Sequence, residues 1–193
     1  VIAPAALLRH VKIHISGNNN QVLIGDFSRL TDVEIYISGN DNVVQVGAWC
    51  MLVKTVFCLE DSGNRITVGE GSRLLGAAEL AAIEGTTIQI GKDCLFSGEI
   101  FFRTGDSHSL LDASGKRINR SRDIQVADHV WIGRRAAVLK GTKIGLDCVV
   151  GACAVVTGDH SAPGCVLAGS PAKTVRNGIS WNVRRLPMEP EIT

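Results

Sequence analysis

The chain has 193 residues, a formal net charge of +1, and 45% apolar but only 5% aromatic residues. That length accommodates one large domain or two small ones. The charge balance gives no whole-chain argument for nucleic acid or an anionic membrane surface, and no stretch approaches the roughly 20 apolar residues of a transmembrane helix. The first residues carry no secretory leader pattern, and opening on Val1 rather than Met leads us to expect a segment upstream.

His10 and His14 fall before the first clear repeat and are read as structural. From Asn20 onward four blocks recur: Asn20–Gly25, Asn42–Gly47, Asn64–Gly69 and Thr86–Gly91, each 22 residues after the last. Ser28, Cys50, Ser72 and Cys94 keep that spacing, as do Leu30, Leu52, Leu74 and Phe96. A triangular coil of three six-residue faces uses about 18 residues, leaving four for a protruding corner turn; Ser16-Gly17-Asn18 and Ser38-Gly39-Asn40 read as such turns.

Arg103–Arg122, RTGDSHSLLDASGKRINRSR, is polar, carries both charge signs and interrupts the pattern. A loop of that length inside a compact repeat is expected to be functional or disordered.

Beyond it the period becomes six. Val126, Ile132, Val138, Ile144, Val150, Val156, Ala162 and Ala168 form one register. Ile124, Val130, Ala136, Thr142, Cys148, Ala154, His160 and Val166 form a second, two residues earlier. Neither a 3.6-residue helix nor a two-residue strand repeat explains a beat of six; a solenoid whose faces advance by six residues does. The expected fold is an all-β solenoid of stacked aliphatic side chains, with many of the 21 glycines at corners. The repeat is expected to stop at Gly169-Ser170-Pro171, and the domain to span 1–176 with a tail at 177–193. That tail reads as a short helix or an arm folding back, with Pro187 and Pro190 barring any longer helix.

The six cysteines, Cys50, Cys58, Cys94, Cys148, Cys153 and Cys165, form no C-x-x-C pair. They read as buried, reduced thiols, which makes the cytoplasm the natural compartment.

The six-residue repeat, the inserted loop and the closing Ala168-Gly169-Ser170-Pro171-Ala172-Lys173 resemble the hexapeptide-repeat acyltransferases over about residues 12 to 176. Asp106-Ser107-His108-Ser109 with Asp112, then Asp128-His129-Val130-Trp131-Ile132-Gly133, is similar to bacterial O-acetyltransferases that modify capsular and other surface polysaccharides. The resemblance implies a left-handed parallel β-helix, a homotrimer, and acetyl-coenzyme A bound between neighbouring solenoids. It implies His108 as catalytic base and Trp131 as an active-site contributor. The 22-residue N-terminal coils depart from the commonest family pattern and bear on the acceptor.

Such a reaction needs a base for the sugar hydroxyl, a donor for the oxyanion and a grip on the pantetheine arm. Imidazole suits the first role, and Asp106 or Asp112 is available to fix its tautomer. Lys140, Lys143, Lys173 and Arg176 are candidates for the coenzyme A phosphates, each weighed against an ordinary surface charge. Backbone groups at Gly133, Gly151, Ala152, Ala168 and Gly169 are candidates along the pantetheine. Trp131, one position before an inward residue, is expected to point outward, which also fits trimer packing. His129 reads as an outward residue near the subunit cleft and His160 as half-buried. The alternatives are an N-acyltransferase acting on an amino sugar or nucleotide-sugar, and a non-enzymatic scaffold. A three-histidine metal site is disfavoured by the spacing of His108, His129 and His160, so no metal is expected.

Overall fold

The computed structural model describes residues 1–187; Pro190 lies outside them. The described residues contain no helix. Their strands form three sheets of nine, seven and seven strands, stacked coil on coil as the faces of a triangular prism and parallel throughout except for the last strand of the nine-stranded sheet. The first face holds Leu7–Arg9, Arg29–Thr31 and Met51–Val53, and later Trp131–Ile132 and Cys165–Gly169. The second runs from Lys12–Ser16 through Ile100–Arg103 to Val155–Val156, and the third from Gln21–Ile24 through Thr87–Ile90 to Asp159–His160. The prism is a left-handed parallel β-helix.

Strand pairing follows both spacings read from the sequence. Gln21 pairs with Val43, Val43 with Arg65 and Arg65 with Thr87 in the long coils. Ile132 pairs with Val150, and Val138 with Val156, in the short ones. The extra residues of the long coils go into Ser-Gly-Asn corners and into second-face strands of five or six residues. The first coil opens earlier than the repeat suggests: His14 lies in Lys12–Ser16, and His10 bonds Asp32 in the next coil at 3.0 Å.

Inside the prism, alternate side chains stack aliphatic on aliphatic, with Phe57, Phe96 and Phe102 the largest fully buried. Two polar columns run through this interior. Asn20, Asn42 and Asn64 each accept from the backbone N–H one coil on, at 3.0, 2.9 and 3.1 Å, ending on Thr86. Ser28 and Ser72 do the same for Cys50 and Cys94, both at 3.0 Å. These columns satisfy corner amides that the sheets cannot reach.

The six-residue beat holds through Val156 and then slips. Ile144 pairs with His160 and Val150 with Leu167, where regular coils would have supplied Ala162 and Ala168. Ala162 is exposed and Ala168 half-buried, while Cys165 and Leu167 take the inward positions; His160 and Val166 are likewise only half-buried. Lys173 and its neighbours then return as the antiparallel strand Ala172–Asn177 beside Cys165–Gly169. As far as residue 187 the tail is an arm that folds back, without a helix.

Four thiols are buried, but Cys58 is half-buried and Cys153 exposed, correcting the expectation for all six. Burial pushes the Cys50 and Cys94 thiols up to about 11. A thiol-specific reagent should therefore label Cys153 first in the native protein, with the buried set reacting only on unfolding; peptide mass mapping checks the order.

Candidate active site

The loop between Arg103 and Ile124 leaves the edge where the second and third faces meet, and it is ordered by its own polar side chains. Asp112 accepts from the Ser114 hydroxyl at 2.6 Å and from the backbone N–H groups of Ser114 and Lys116 at 2.9 and 3.0 Å. That turn brings Leu111 opposite Arg117 in a small antiparallel pair. Asn119, 6% exposed, is the hub: its amide nitrogen donates to Asp106 Oδ2 at 2.8 Å and to the His108 carbonyl at 2.7 Å. Its amide oxygen accepts from Leu110 N at 2.8 Å and Arg117 Nε at 3.1 Å. Asp106 also pairs with Lys140, and Glu84 with Arg117 and the Ser121 hydroxyl. The sequence reading missed Asn119 and Glu84; an asparagine near the end of a polar loop and a glutamate at a coil corner carry no signal without knowledge of what they face.

The His108 ring lies exposed on this framework, with no side-chain hydrogen bond among the described residues. Asp106 and Asp112, the two alternatives for fixing the imidazole tautomer, are committed elsewhere within the protomer, the first to Lys140 and Asn119 and the second to its own turn. Lys140 and Asn119 hold the Asp106 carboxyl below its usual range, and the Ser114 hydroxyl with the Lys116 and Ser114 amides does so for Asp112. Arg117 and Ser121 bring Glu84 down to about 2. A depressed carboxyl pKa contributes stability that is fully present above the unfolded value of about 4.3 and is lost as pH falls through the folded value. The loop should therefore loosen between about pH 4 and pH 2. Amide exchange at Leu110 and Ile118, corrected for intrinsic rates, is expected to accelerate relative to core amides on going from pH 5 to pH 3; unchanged relative protection would show that these tethers do not hold the loop.

Trp131 lies on the first face, the side of the prism opposite the edge from which the loop leaves. It is 39% exposed and its indole N–H reaches Ser97 Oγ at 3.4 Å. His129 sits at the neighbouring edge, bonded to Asp147 Oδ1 at 2.6 Å. The returning arm stacks Trp181 flat on His129, with ring centroids 4.2 Å apart, and donates the Trp181 N–H to the His129 carbonyl at 2.7 Å. Trp181 also leans on Trp131 at 6.1 Å.

Four of the candidate backbone positions meet in pairs on successive coils at the edge between the first and second faces. A Cβ on Gly133 would stand 2.7 Å from Ala152 N, and one on Gly151 3.5 Å from the Ala168 side chain. Gly169, in the left-handed region at φ 99°, turns the chain there, and Lys173 lies beside Ala168. Arg176 pairs with Val166 farther along the same strand. Lys140 departs from this group: its side chain, 18% exposed, reaches into the loop at another edge. Lys143 lies 3.8 Å from Asp159. His160 bonds the Thr157 carbonyl at 3.0 Å on the third face, apart from His108 and His129.

No protein-family model matches the sequence. The chain is 32% identical over 108 residues to the polysialic acid O-acetyltransferase of Escherichia coli O1:K1 / APEC, covering 55% of this chain and 35% of that protein. It is 33% identical over 141 residues to the polysialic acid O-acetyltransferase of Neisseria meningitidis, covering 72% of this chain and 65% of that protein. The chain thus spans between about a third and just under two thirds of the length of these curated relatives. The crystal structure of the polysialic acid O-acetyltransferase OatWY superposes with a TM-score of 0.84 at 29% identity, covering 96% of this chain and 93% of that one. The structure of the polySia-specific acetyltransferase NeuO, at 24% identity and a TM-score of 0.71 over 90% of this chain and 83% of that one, shares the fold. Coil, inserted loop and capping strand define a hexapeptide-type left-handed β-helix. In fold and in sequence the chain is similar to the hexapeptide-repeat acyltransferases.

Proposed function

We propose that the chain is an O-acetyltransferase that moves an acetyl group from acetyl-coenzyme A to a hydroxyl of a surface polysaccharide, with His108 as general base. The observation that carries this reading is an exposed imidazole, without a side-chain hydrogen bond among the described residues, on a loop that three contacts fix to the solenoid: Arg117 with Glu84, Ser121 with Glu84, and Asp106 with Lys140. In the reaction the neutral imidazole takes the hydroxyl proton as the sugar oxygen attacks the thioester carbonyl. The tetrahedral intermediate collapses, the C–S bond breaks, and the thiolate leaves as coenzyme A, accepting the proton. No acyl-enzyme is needed.

Because Trp131 lies on the face opposite the loop's edge, both residues can line one site only when a neighbouring copy supplies one of them. This supports a homotrimer with sites between subunits. The edge bearing Gly133, Gly151, Ala152, Ala168 and Gly169 suits the pantetheine, where small residues permit close approach, with Lys173 and Arg176 toward the phosphates. Lys140 serves the loop in this reading, holding Asp106. Reduced thiols and an acetyl-coenzyme A donor fit the cytoplasm. The names of the relatives support a polymeric acidic sugar as acceptor.

The test follows free thiol release with acetyl-coenzyme A and a panel of surface glycans that includes polysialic acid. Hydroxylamine should cleave the product, since an ester is cleaved and an amide resists. No turnover on any glycan together with no coenzyme A binding by calorimetry would overturn the reading; a resistant product would replace it with N-acylation.

A further inference from the structure

The edge between the third and first faces is built from one residue per coil in the left-handed backbone region: Phe27, Trp49, Gly71, Asp93, His129 and Asp147, with φ between 52° and 73°. Each successive amide in this series donates to the coil below, as Trp49 N does to Asp26 O at 2.9 Å and His129 N to Lys92 O at 2.7 Å. Glycine and aspartate accept this conformation readily, whereas bulky aromatic residues are rare in it and cost backbone strain. Phe27 and Trp49 nevertheless occupy it, stacked on each other at 4.3 Å and 51% and 59% exposed. Neither the core nor the corner turn requires an aromatic ring there.

Further along the same edge stands the second aromatic platform, Trp181 on His129. Between the two, Gly71 bears no side chain, and Asp93 Oδ1 lies 2.3 Å from where a Cβ would stand. Gly71 and Asp93 line a groove of about 430 Å³ together with Arg73, Leu95 and Trp181. Beside it, Trp49, Glu70 and Lys92 line a second hollow that shares Gly71, Arg73 and Asp93. Arg73 and Lys92 enter no ion pair among the described residues. From Trp49 to His129 the edge climbs three coils, roughly 14 Å at the usual strand spacing.

We propose that this edge is an extended glycan-binding groove that holds a run of linked sugars of the acceptor chain, remote from the transferring hydroxyl. Apolar C–H faces of sugar rings pack on exposed aromatic rings, and hydroxyls and acidic groups need donors and acceptors placed between them. Trp49 with Phe27 and Trp181 with His129 supply the two platforms; Arg73, Lys92, Glu70 and Asp93 supply the polar rungs. The contact of Trp181 with Trp131 joins the upper end of the groove to the face proposed to bear the active site. The polymeric acceptor rests on the proposed function; the groove itself is tested without it.

The experiment is calorimetric titration, in the absence of coenzyme A, with sialic acid oligomers of graded length and a parallel series of maltooligosaccharides. Wild type is compared with Trp49→Ala and Arg73→Ala. Affinity for at least one series should rise with length until the oligomer spans the edge, and each variant should weaken the long oligomers by about tenfold while leaving the monosaccharide unchanged. Binding of neither series, or equal affinity in the variants, overturns the groove. So does dissociation of the assembly by Trp49→Ala on gel filtration, which would make the aromatic pair a subunit contact. A protein that binds the long oligomers at this edge but acetylates nothing keeps the groove and loses the acetyl-transfer reading.

Discussion

Replacing His108 with alanine is expected to lower kcat by about 10²- to 10⁴-fold, the usual range for removal of a positioned general base. The melting temperature should not move, because the ring is exposed and bonds nothing in the protomer, and surface substitutions of that kind stay within about 0.5 kcal/mol. The KM for acetyl-coenzyme A should change little, since the ring acts on the acceptor's proton. Added imidazole should restore part of the lost rate, which a structural role for His108 would not allow. Steady-state kinetics beside a thermal melt decides the matter. Retention of full activity would move the base elsewhere, and His129, paired with Asp147, would be the next residue to test.

The largest expected loss of stability is at Phe102. Its ring is fully buried, stacks on Phe96 at 5.5 Å, and sits in register with Leu80 below and Val138 above. Phe102→Ala removes the ring from a coil that neighbours on both sides hold at fixed spacing, so the cavity cannot close, and the cost is about 3–5 kcal/mol. Phe102→Leu keeps most of the volume and should cost less than about 1.5 kcal/mol. Chemical denaturation of the two variants measures the difference. Since Arg103 follows directly and the loop leaves there, Phe102→Ala should also loosen the loop below the global transition. A variant with wild-type stability would mean that the interior relaxes more than a stacked solenoid allows.

Much of this architecture was legible because a solenoid converts sequence spacing directly into contact. Residues 22 apart in the blocks from Asn20 to Gly91 do pair across coils, and the interrupted stretch at Arg103–Arg122 is the inserted loop. The beat misled in the last coil, at Ala162 and Ala168 and in the second register at His160 and Val166, where the coil is cut short and an antiparallel strand closes the end; a missing residue leaves no trace in a periodic count. The inward column of asparagines was visible as a repeated letter but not as a hydrogen-bond ladder, since polarity alone argues for the surface. Partners set by tertiary approach were harder still. Nothing local to Asp106 says that Lys140, far along the chain, will hold it instead of the imidazole two residues away. Trp181 gave no sign that it would stack on His129, because an arm that folds back shares no period with the coils it covers.

Neighbouring coils in the first half lie 22 residues apart in sequence, whereas the coils that flank the loop lie 36 apart. Closing the longer segment adds only about 0.4 kcal/mol of chain entropy, because the cost grows with the logarithm of length. The scaffold therefore sets almost no thermodynamic limit on the size of the loop that carries His108. Residues inserted at its exposed tip near Gly115, where a Cβ would meet nothing within 4 Å, would leave the coils in register. Reach toward a different acceptor can thus be changed at that tip without re-solving the packing problem of the prism beneath it.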